Sequence, residues 1–399
     1  MQRKIFLIIC LSWWMSSFSQ SDLLSDGAEI SVITCGPGSE LYSTFGHSAF
    51  RILDRKRNMD KVYNYGTFNF ATPNFYAKFV RGKLLYELRA YPFSHFLRSY
   101  QEENRWVKEQ ILNLDQQQKQ SIYDFLEENE KPANRGYKYD FFYDNCSTKM
   151  YQVLEKTLKD QLLFDDNYEP TDFTHRELIQ QYLTNLKWSD FGIDLALGSV
   201  IDREISTKQY MFLPDYVLKG MDHVKIKAEN KEIPLVRQTK VLLQSQPEVQ
   251  KKSPFTPLVV FSLLALLVVY LTYKDYKNKT INRVLDVFIF SITGILGVLL
   301  LLLWFATDHT ATANNFNILW AFAPNLFFVF LQNKNEKLSR YYLLTLLVGL
   351  DLLAVLWLSK VQVFSIALIP ILVALYTRYG YLWFYYWNND SKVKTKKDL

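Results

Sequence analysis

The stretch whose reading decides the fold is YDFFYDNCSTKM, residues 139–150. Aromatic and acidic residues lead up to Asn145, and beyond Cys146 the apolar residues Met150, Val153, Leu154 and Leu158 recur at helical spacing. Ser147 and Thr148 are natural first-turn residues, so the pattern predicts Cys146 at or just before a helix N-terminus. The positive end of a helix dipole favours a thiolate there and would stabilise an oxyanion formed by attack on a carbonyl. A buried cysteine that merely packs fits the same position, so chemistry must be sought elsewhere in the chain.

The chain has 399 residues, 49% of them apolar, and a formal charge of +6. Residues 1–19 read as a signal peptide: Gln2-Arg3-Lys4, an apolar run from Ile5 to Trp14, then Ser17-Phe18-Ser19. Cys10 lies in that run without the small residue before it that lipidation wants. Losing Arg3 and Lys4 takes the formal charge to +4, too mild to argue for nucleic acid. Cys35 and Cys146 remain, and in an exported chain such a pair first suggests a disulfide, the main rival to a free nucleophile. With no CxxC pair, His/Cys cluster or Gly-rich phosphate loop, neither a metal nor a cofactor is expected.

Residues 20–233 mix β-patterned runs (29–35, 47–53, 61–65, 84–90) with helical ones (93–101, 115–129, 146–160, 174–184), as in an α+β domain. Residues 234–254 are polar and weakly patterned and read as a linker. Five apolar segments follow within 255–387, at 255–273, 284–306, 315–332, 341–359 and 361–377, each near the length that crosses a bilayer. Lys274, Lys277, Lys279 and Arg283, then Lys334, Lys337 and Arg340, then a basic tail over 388–399 all fall on one side. The positive-inside rule therefore puts residues 20–233 outside the cytoplasm and the C-terminus inside it, in agreement with the signal peptide.

A cysteine nucleophile needs a base. Of five histidines, His47 is best placed, following the turn-like ELYSTFG and opening a strand of alternating character; the rival reading is a strand-edge histidine bonded to backbone. His95, His175 and His223 read as solvated or structural. Asn64, on the next strand, falls where a cross-strand neighbour of His47 would lie and could fix its tautomer, with Tyr63 and Tyr65 on the other face.

His on an early strand, a polar residue on the next, then Asn-Cys opening a later helix is the order of circularly permuted papain-like proteins. It is similar to lecithin–retinol acyltransferase-type enzymes and to permuted NlpC-type peptidases. More narrowly, PGSELYSTFGHSAFR (37–51), VYNYGTFNF (62–70), VRGKLLYEL (80–88), YDFFYDNCST (139–148) and DHTATANNFNILWAFAPN (308–325) resemble the Lnb-type lipoprotein N-acyltransferases of Bacteroidetes. The resemblance implies an α+β permuted papain-like periplasmic domain followed by an all-α bundle of five transmembrane helices in the inner membrane. It implies transfer of a fatty acyl chain from a membrane phospholipid to the α-amino group of a diacylglyceryl lipoprotein through a cysteine thioester. Cys146 and His47 then match the catalytic pair, and Asn64 the third polar position.

For substrate contacts the expectations are Tyr42, Asn145, Arg51, Arg81, Asp308 and His309, the last two in an outer loop at headgroup level. Asp351, mid-span, would cost roughly 3 kcal/mol ionised in lipid and is expected to face the bundle or carry a proton. Asn325 beside Pro324 fits a helix kink. Two rival functions are a cell-wall cysteine peptidase or amidase, and a non-enzymatic anchored scaffold with a Cys35–Cys146 disulfide.

Overall fold

The computed structural model describes residues 23–69, 71–165, 167–170, 172–228, 231–246, 253–332 and 334–397; the expected signal peptide lies outside them. In the N-terminal half the strands are β1 (Glu29–Cys35), β2 (His47–Asp54), β3 (Met59–Thr67), β4 (Leu85–Pro92), β5 (Val107–Leu112) and β6 (Gly136–Lys138), then β7 (Leu162–Leu163), β8 (Lys225–Ala228), β9 (Lys231–Pro234) and β10 (Val236–Leu243). Its helices are α1 (Phe75–Val80), α2 (Phe93–Glu102), α3 (Gln116–Glu130), α4 (Thr148–Leu158), α5 (His175–Gln180), α6 (Lys187–Ala196), α7 (Thr207–Tyr210) and α8 (Pro214–Met221).

Seven strands pair antiparallel in the order β10-β5-β1-β2-β3-β4-β6, and β7, β8 and β9 form a second small sheet. The period-two alternation sorts the large sheet into two apolar faces. Ile30, Val32, Phe50, Ile52, Tyr63 and Tyr65 go under α3 and α4, packing on Ile122, Leu126, Met150 and Leu154. On the opposite face Ile33, Cys35, Ala49 and Val62 are covered by Phe93 and Phe96 of α2. An Asp115–Gln118 capping box starts α3, and a Thr174–Glu177 box starts α5, so both helices carry their own N-terminal stop.

The first part of the expected linker 234–254 is a strand of the sheet. Leu235 is fully buried, and β10 completes the sheet by pairing with β5. Arg237, Gln238 and Thr239 of this edge strand are exposed, and an edge strand packed on one side only carries the weak apolar pattern that reads as a connector.

The C-terminal half comprises α9 (Pro257–Asn278), α10 (Arg283–Phe305), α11 (Asn325–Leu331), α12 (Glu336–Leu358) and α13 (Leu368–Lys397). By length and composition α9, α10 and α12 are long and apolar enough to cross a membrane. The expected third span, 315–332, is instead a 3-10 turn (Phe316–Leu319) followed by the seven-residue α11. Pro324 sits at the break, where its ring and missing N–H start a new helix rather than continue one. Asn325 is fully buried there, donating to Thr293 Oγ1 at 2.8 Å and accepting from the Tyr342 hydroxyl at 2.6 Å. The fifth helix begins at Leu368, not at 361, and its backbone stays helical through Lys397, across the stretch expected as a separate tail.

The two halves are joined by a built seam. Gly198 N bonds to Ala311 O at 2.9 Å and Ser199 N to Asn314 O at 3.1 Å. Asn315 donates to the carbonyls of Leu195 and Ala196, and Gln362 to that of Leu197. A Cβ on Gly198 would run into the Ala313 carbonyl, so only glycine lets these backbones approach. Segment 187–202 is braced beneath by Arg176, fully buried, which bonds Asp202 Oδ1 at 2.6 Å and Asp194 Oδ1 at 2.7 Å.

Candidate active site

Cys146 lies two residues ahead of α4, at the end of a loop that ties itself off. Asp140 and Asp144 exchange backbone hydrogen bonds at 3.1 and 2.9 Å, and Asp140 Oδ1 accepts from the Phe142 and Tyr143 amides. Asn145 then holds the helix start. Its Oδ1 accepts from Ser147 N at 2.8 Å and Thr148 N at 2.9 Å, and its Nδ2 donates to the carbonyls of Phe141 and Phe212. With its amide fully engaged inside the protein, Asn145 is a capping residue and not the substrate contact expected from sequence.

His47 opens β2 opposite Cys35, and β3 bulges between Asn64 and Thr67, with Gly66 at φ +89°. The bulge brings the three expected groups together. A Cβ placed on Gly66 would lie 3.6 Å from Cys146 Cβ and 4.0 Å from His47 Cε1, so the absent side chain leaves the space in which they meet. His47 Nε2 is 2.6 Å from Asn64 Oδ1. The Asn64 amide nitrogen donates to the Tyr91 hydroxyl at 2.8 Å, which leaves the oxygen to accept from Nε2 and turns Nδ1 toward the sulfur. Tyr100 stacks on the imidazole with ring centroids 6.4 Å apart. Tyr91 and Tyr100 were not anticipated; Tyr91 follows Asn64's neighbours two positions out of register on β4, a signal visible only once β3 and β4 are paired.

The electrostatics follow from this geometry. Burial pushes the Cys146 thiol up, but the His47 charge, the hydrogen bond between the two side chains, the Ser48 amide and the Ser147 hydroxyl together bring it down to about 7. For His47, burial acts against the imidazolium, and the Cys146 charge, its hydrogen bond and Asn64 outweigh it, so the His47 pKa is raised from its ordinary value. A lowered thiol facing a raised imidazole is a thiolate–imidazolium pair around neutral pH. Cys35 carries a separate, fully buried thiol pushed up by desolvation; both cysteines are unbridged, which removes the disulfide on which the scaffold reading rested.

The other expected residues lie elsewhere. Arg51 is mostly buried, doubly bonded to Asp60 at 2.7 and 2.9 Å, paired with Glu109 at 3.0 Å and stacked over Phe93, so its guanidinium is taken up by partners within the domain. Tyr42 is exposed on the 36–46 loop. Arg81 is exposed and its carbonyl accepts from Asp308 N at 2.9 Å. Asp308 faces Lys138 at 3.5 Å and Lys83 at 3.9 Å, while His309 Nε2 lies 3.0 Å from the Val80 carbonyl. The neighbouring Thr310 donates to Asp140 Oδ2 at 2.7 Å. The outer loop of the membrane half thus grips the very loop that delivers Cys146. Asp351 points outward from α12 beside Val348, Leu352 and Val355, because the inward face is taken by Leu343, Leu346, Leu350 and Leu353. His175 is buried edge-on among Phe142, Tyr143 and Phe212, and burial lowers its pKa to about 4.

Fold and site define a class: a membrane protein whose α+β domain holds a cysteine, a histidine and an asparagine at the seam with its membrane-spanning half. Residues 16–181 match the model of the Lnb N-terminal periplasmic domain, and residues 249–389 match that of the Lnb transmembrane domain. The chain is an Lnb-type protein, with the periplasmic and the transmembrane domain of that family in one polypeptide. No curated protein and no solved structure matches it.

Proposed function

We propose that this protein is a thiol-dependent apolipoprotein N-acyltransferase of the inner membrane, with a periplasmic domain of permuted papain-like type and a cytoplasmic C-terminus. The observation that carries the reading is the Cys146–His47–Asn64 cluster, with its lowered thiol, on a loop clasped by Thr310 from the membrane half.

In the first step the Cys146 thiolate attacks the ester carbonyl of a phospholipid. The tetrahedral oxyanion collapses with cleavage of the acyl C–O bond, and the imidazolium of His47 gives its proton to the departing lysophospholipid oxygen, leaving an acyl-thioester and neutral His47. In the second step the α-amine of a diacylglyceryl-cysteine attacks the thioester, His47 takes the amine proton, the C–S bond breaks and the amide leaves. Asn64 holds Nε2 protonated throughout, so that Nδ1 handles both protons. Backbone N–H donors beside the nucleophile, such as that of Cys146, stabilise each oxyanion by about 3 kcal/mol per donor. A thioester suits the second step because it is aminolysed more readily than an oxygen ester.

The test is expression in cells depleted of their own N-acylating enzyme, with lipoprotein N-termini read by mass spectrometry. Wild type is expected to restore a third acyl chain, and Cys146→Ala and His47→Ala are expected not to. Rescue by Cys146→Ala would sink the mechanism, and a processed peptide stem in place of an acylated N-terminus would replace the transferase by the peptidase reading.

A further inference from the structure

Among the described residues of the periplasmic domain, the connection from β3 to β4 carries a cluster of exposed apolar side chains. On α1, Tyr76 is 78% exposed, Phe79 52% and Val80 58%, three residues on one helical stripe, and Leu85 beyond the helix is 55% exposed. Isolated exposed side chains need no explanation, but an apolar stripe on a two-turn helix does. Between Phe68 and Tyr86 the sequence has Lys78, Arg81 and Lys83 and no acidic residue.

Two further observations fix what this surface meets. First, it lies beside the end of a spanning helix. Gly82, at φ +67°, lies against the Asp308–His309 backbone, and Arg81 and Val80 accept hydrogen bonds from that same pair of residues. Asp308 follows by three residues the end of the spanning helix α10 at Phe305, so α1 stands level with the outer end of a membrane helix. Second, a ladder of rings leads inward from it. Phe79 stacks on Phe75 with centroids 6.4 Å apart, Phe75 meets Phe68 at 5.7 Å, Phe68 meets Tyr86 at 5.4 Å, and Tyr86 stacks on Tyr139 at 4.3 Å. Tyr86 also pairs across the sheet with Tyr137, whose hydroxyl lies 4.0 Å from the same Gly66 Cβ position that is 3.6 Å from Cys146 Cβ.

We propose that α1 and the residues just after it insert into the outer leaflet through Tyr76, Phe79, Val80 and Leu85, and that the ring ladder is the track along which a phospholipid acyl chain reaches Cys146. Lys78 and Arg81 lie where lipid phosphates would be, while Lys83 already shares Asp308 with Lys138. The insertion stands on its own; the track rests on the acyl-donor reading above.

The experiment uses the full chain in phospholipid vesicles. In a Cys35→Ala, Cys146→Ala background, a nitroxide is attached at Tyr76→Cys or Phe79→Cys, with Tyr42→Cys as the exposed reference. Positions 76 and 79 are expected to be accessible to oxygen dissolved in lipid and shielded from an aqueous nickel chelate, and position 42 the reverse. Identical behaviour at all three would overturn the insertion. With the cysteines intact, Tyr76→Glu combined with Val80→Glu is expected to slow acylation of Cys146 by vesicle phospholipid at least about tenfold. Alkylation of Cys146 by iodoacetamide, which needs no membrane, reports in parallel whether the dyad is still assembled. Undiminished acylation by this variant would overturn the track even if the labels insert. Wild type that inserts but is never acylated by phospholipid would overturn the donor reading and the track while leaving the leaflet contact in place.

Discussion

In the periplasmic half Ile30, Val32, Phe50 and Leu154 are covered and charge faces outward; in the membrane half Leu263, Leu266, Phe288 and Phe327 face outward and polar groups are inside. Each half nevertheless buries one arginine between two aspartates. Arg176 bonds Asp194 and Asp202, and Arg378 bonds Asp286 Oδ1 at 2.6 Å and Asp275 Oδ2 at 2.7 Å, with Gln332 on the other Asp286 oxygen. The shared device does different jobs. Arg176 braces the segment that docks on the membrane half, whereas Arg378 ties α13 to α9 and α10 near the turn at 279–282. The comparison teaches that exposure has to be judged against the local solvent. By that measure α1, with Tyr76, Phe79 and Val80 exposed, resembles the outward faces of the membrane half.

The largest effects should come from the two arginines. Arg176→Met and Arg378→Met each strand two buried carboxylates and are expected to cost about 3–5 kcal/mol, read as a fall in the unfolding midpoint of detergent-solubilised protein. If Arg378→Met were silent while Arg176→Met was severe, the membrane cluster would be solvated and the parallel would fail.

Next comes the dyad. In His47→Ala the alkylation midpoint of Cys146 is expected to rise from about 7 to 9 or above, because the partner charge is lost while burial remains. Such a shift corresponds to at least about 2.7 kcal/mol of lost thiolate stabilisation. In wild type the reactive ion pair forms as pH rises through the lowered Cys146 value and is lost as pH rises further through the raised His47 value. Acylation should therefore follow a bell whose acid limb lies near 7. An alkylation profile unchanged by His47→Ala would show that the histidine does not govern the thiol.

Asn145→Ala removes the cap of α4 and is expected to cost about 1–2 kcal/mol in the unfolding midpoint while leaving the alkylation midpoint near 7. Loss of acylation far beyond that destabilisation would return Asn145 to the substrate. The smallest effect is expected at Asp351. Seven residues, or about 10 Å, from the outer end of α12, its carboxylate can reach toward headgroup depth. Asp351→Leu should shift stability by less than about 1 kcal/mol, in the stabilising sense. A clear destabilisation would mean that the carboxylate has a partner.

What the sequence determined by itself is what local period and chemistry can carry. The β1–β4 strands lie where the alternation of EISVITC, HSAFRIL, KVYNY and LLYELRA predicts them, to within a few residues at their ends. Asn64 and His47 share a face for the same reason, and the apolar runs at 255–273, 284–306 and 341–359 announce the three helices long enough to cross a membrane. What only the tertiary structure decided depends on partners far away in sequence. Residues 236–243 become a strand because β5 offers an open edge. The run at 315–332 breaks because Asn315, Asn317 and Asn325 are drawn to carbonyls of α6 and to Thr293 and Tyr342. Arg51 and Asn145 look available in the sequence and are consumed by Asp60, Glu109, Phe141 and Phe212. Hydrophobic period is a property of neighbouring residues, whereas the satisfaction of a polar group is a property of whatever the fold brings to it.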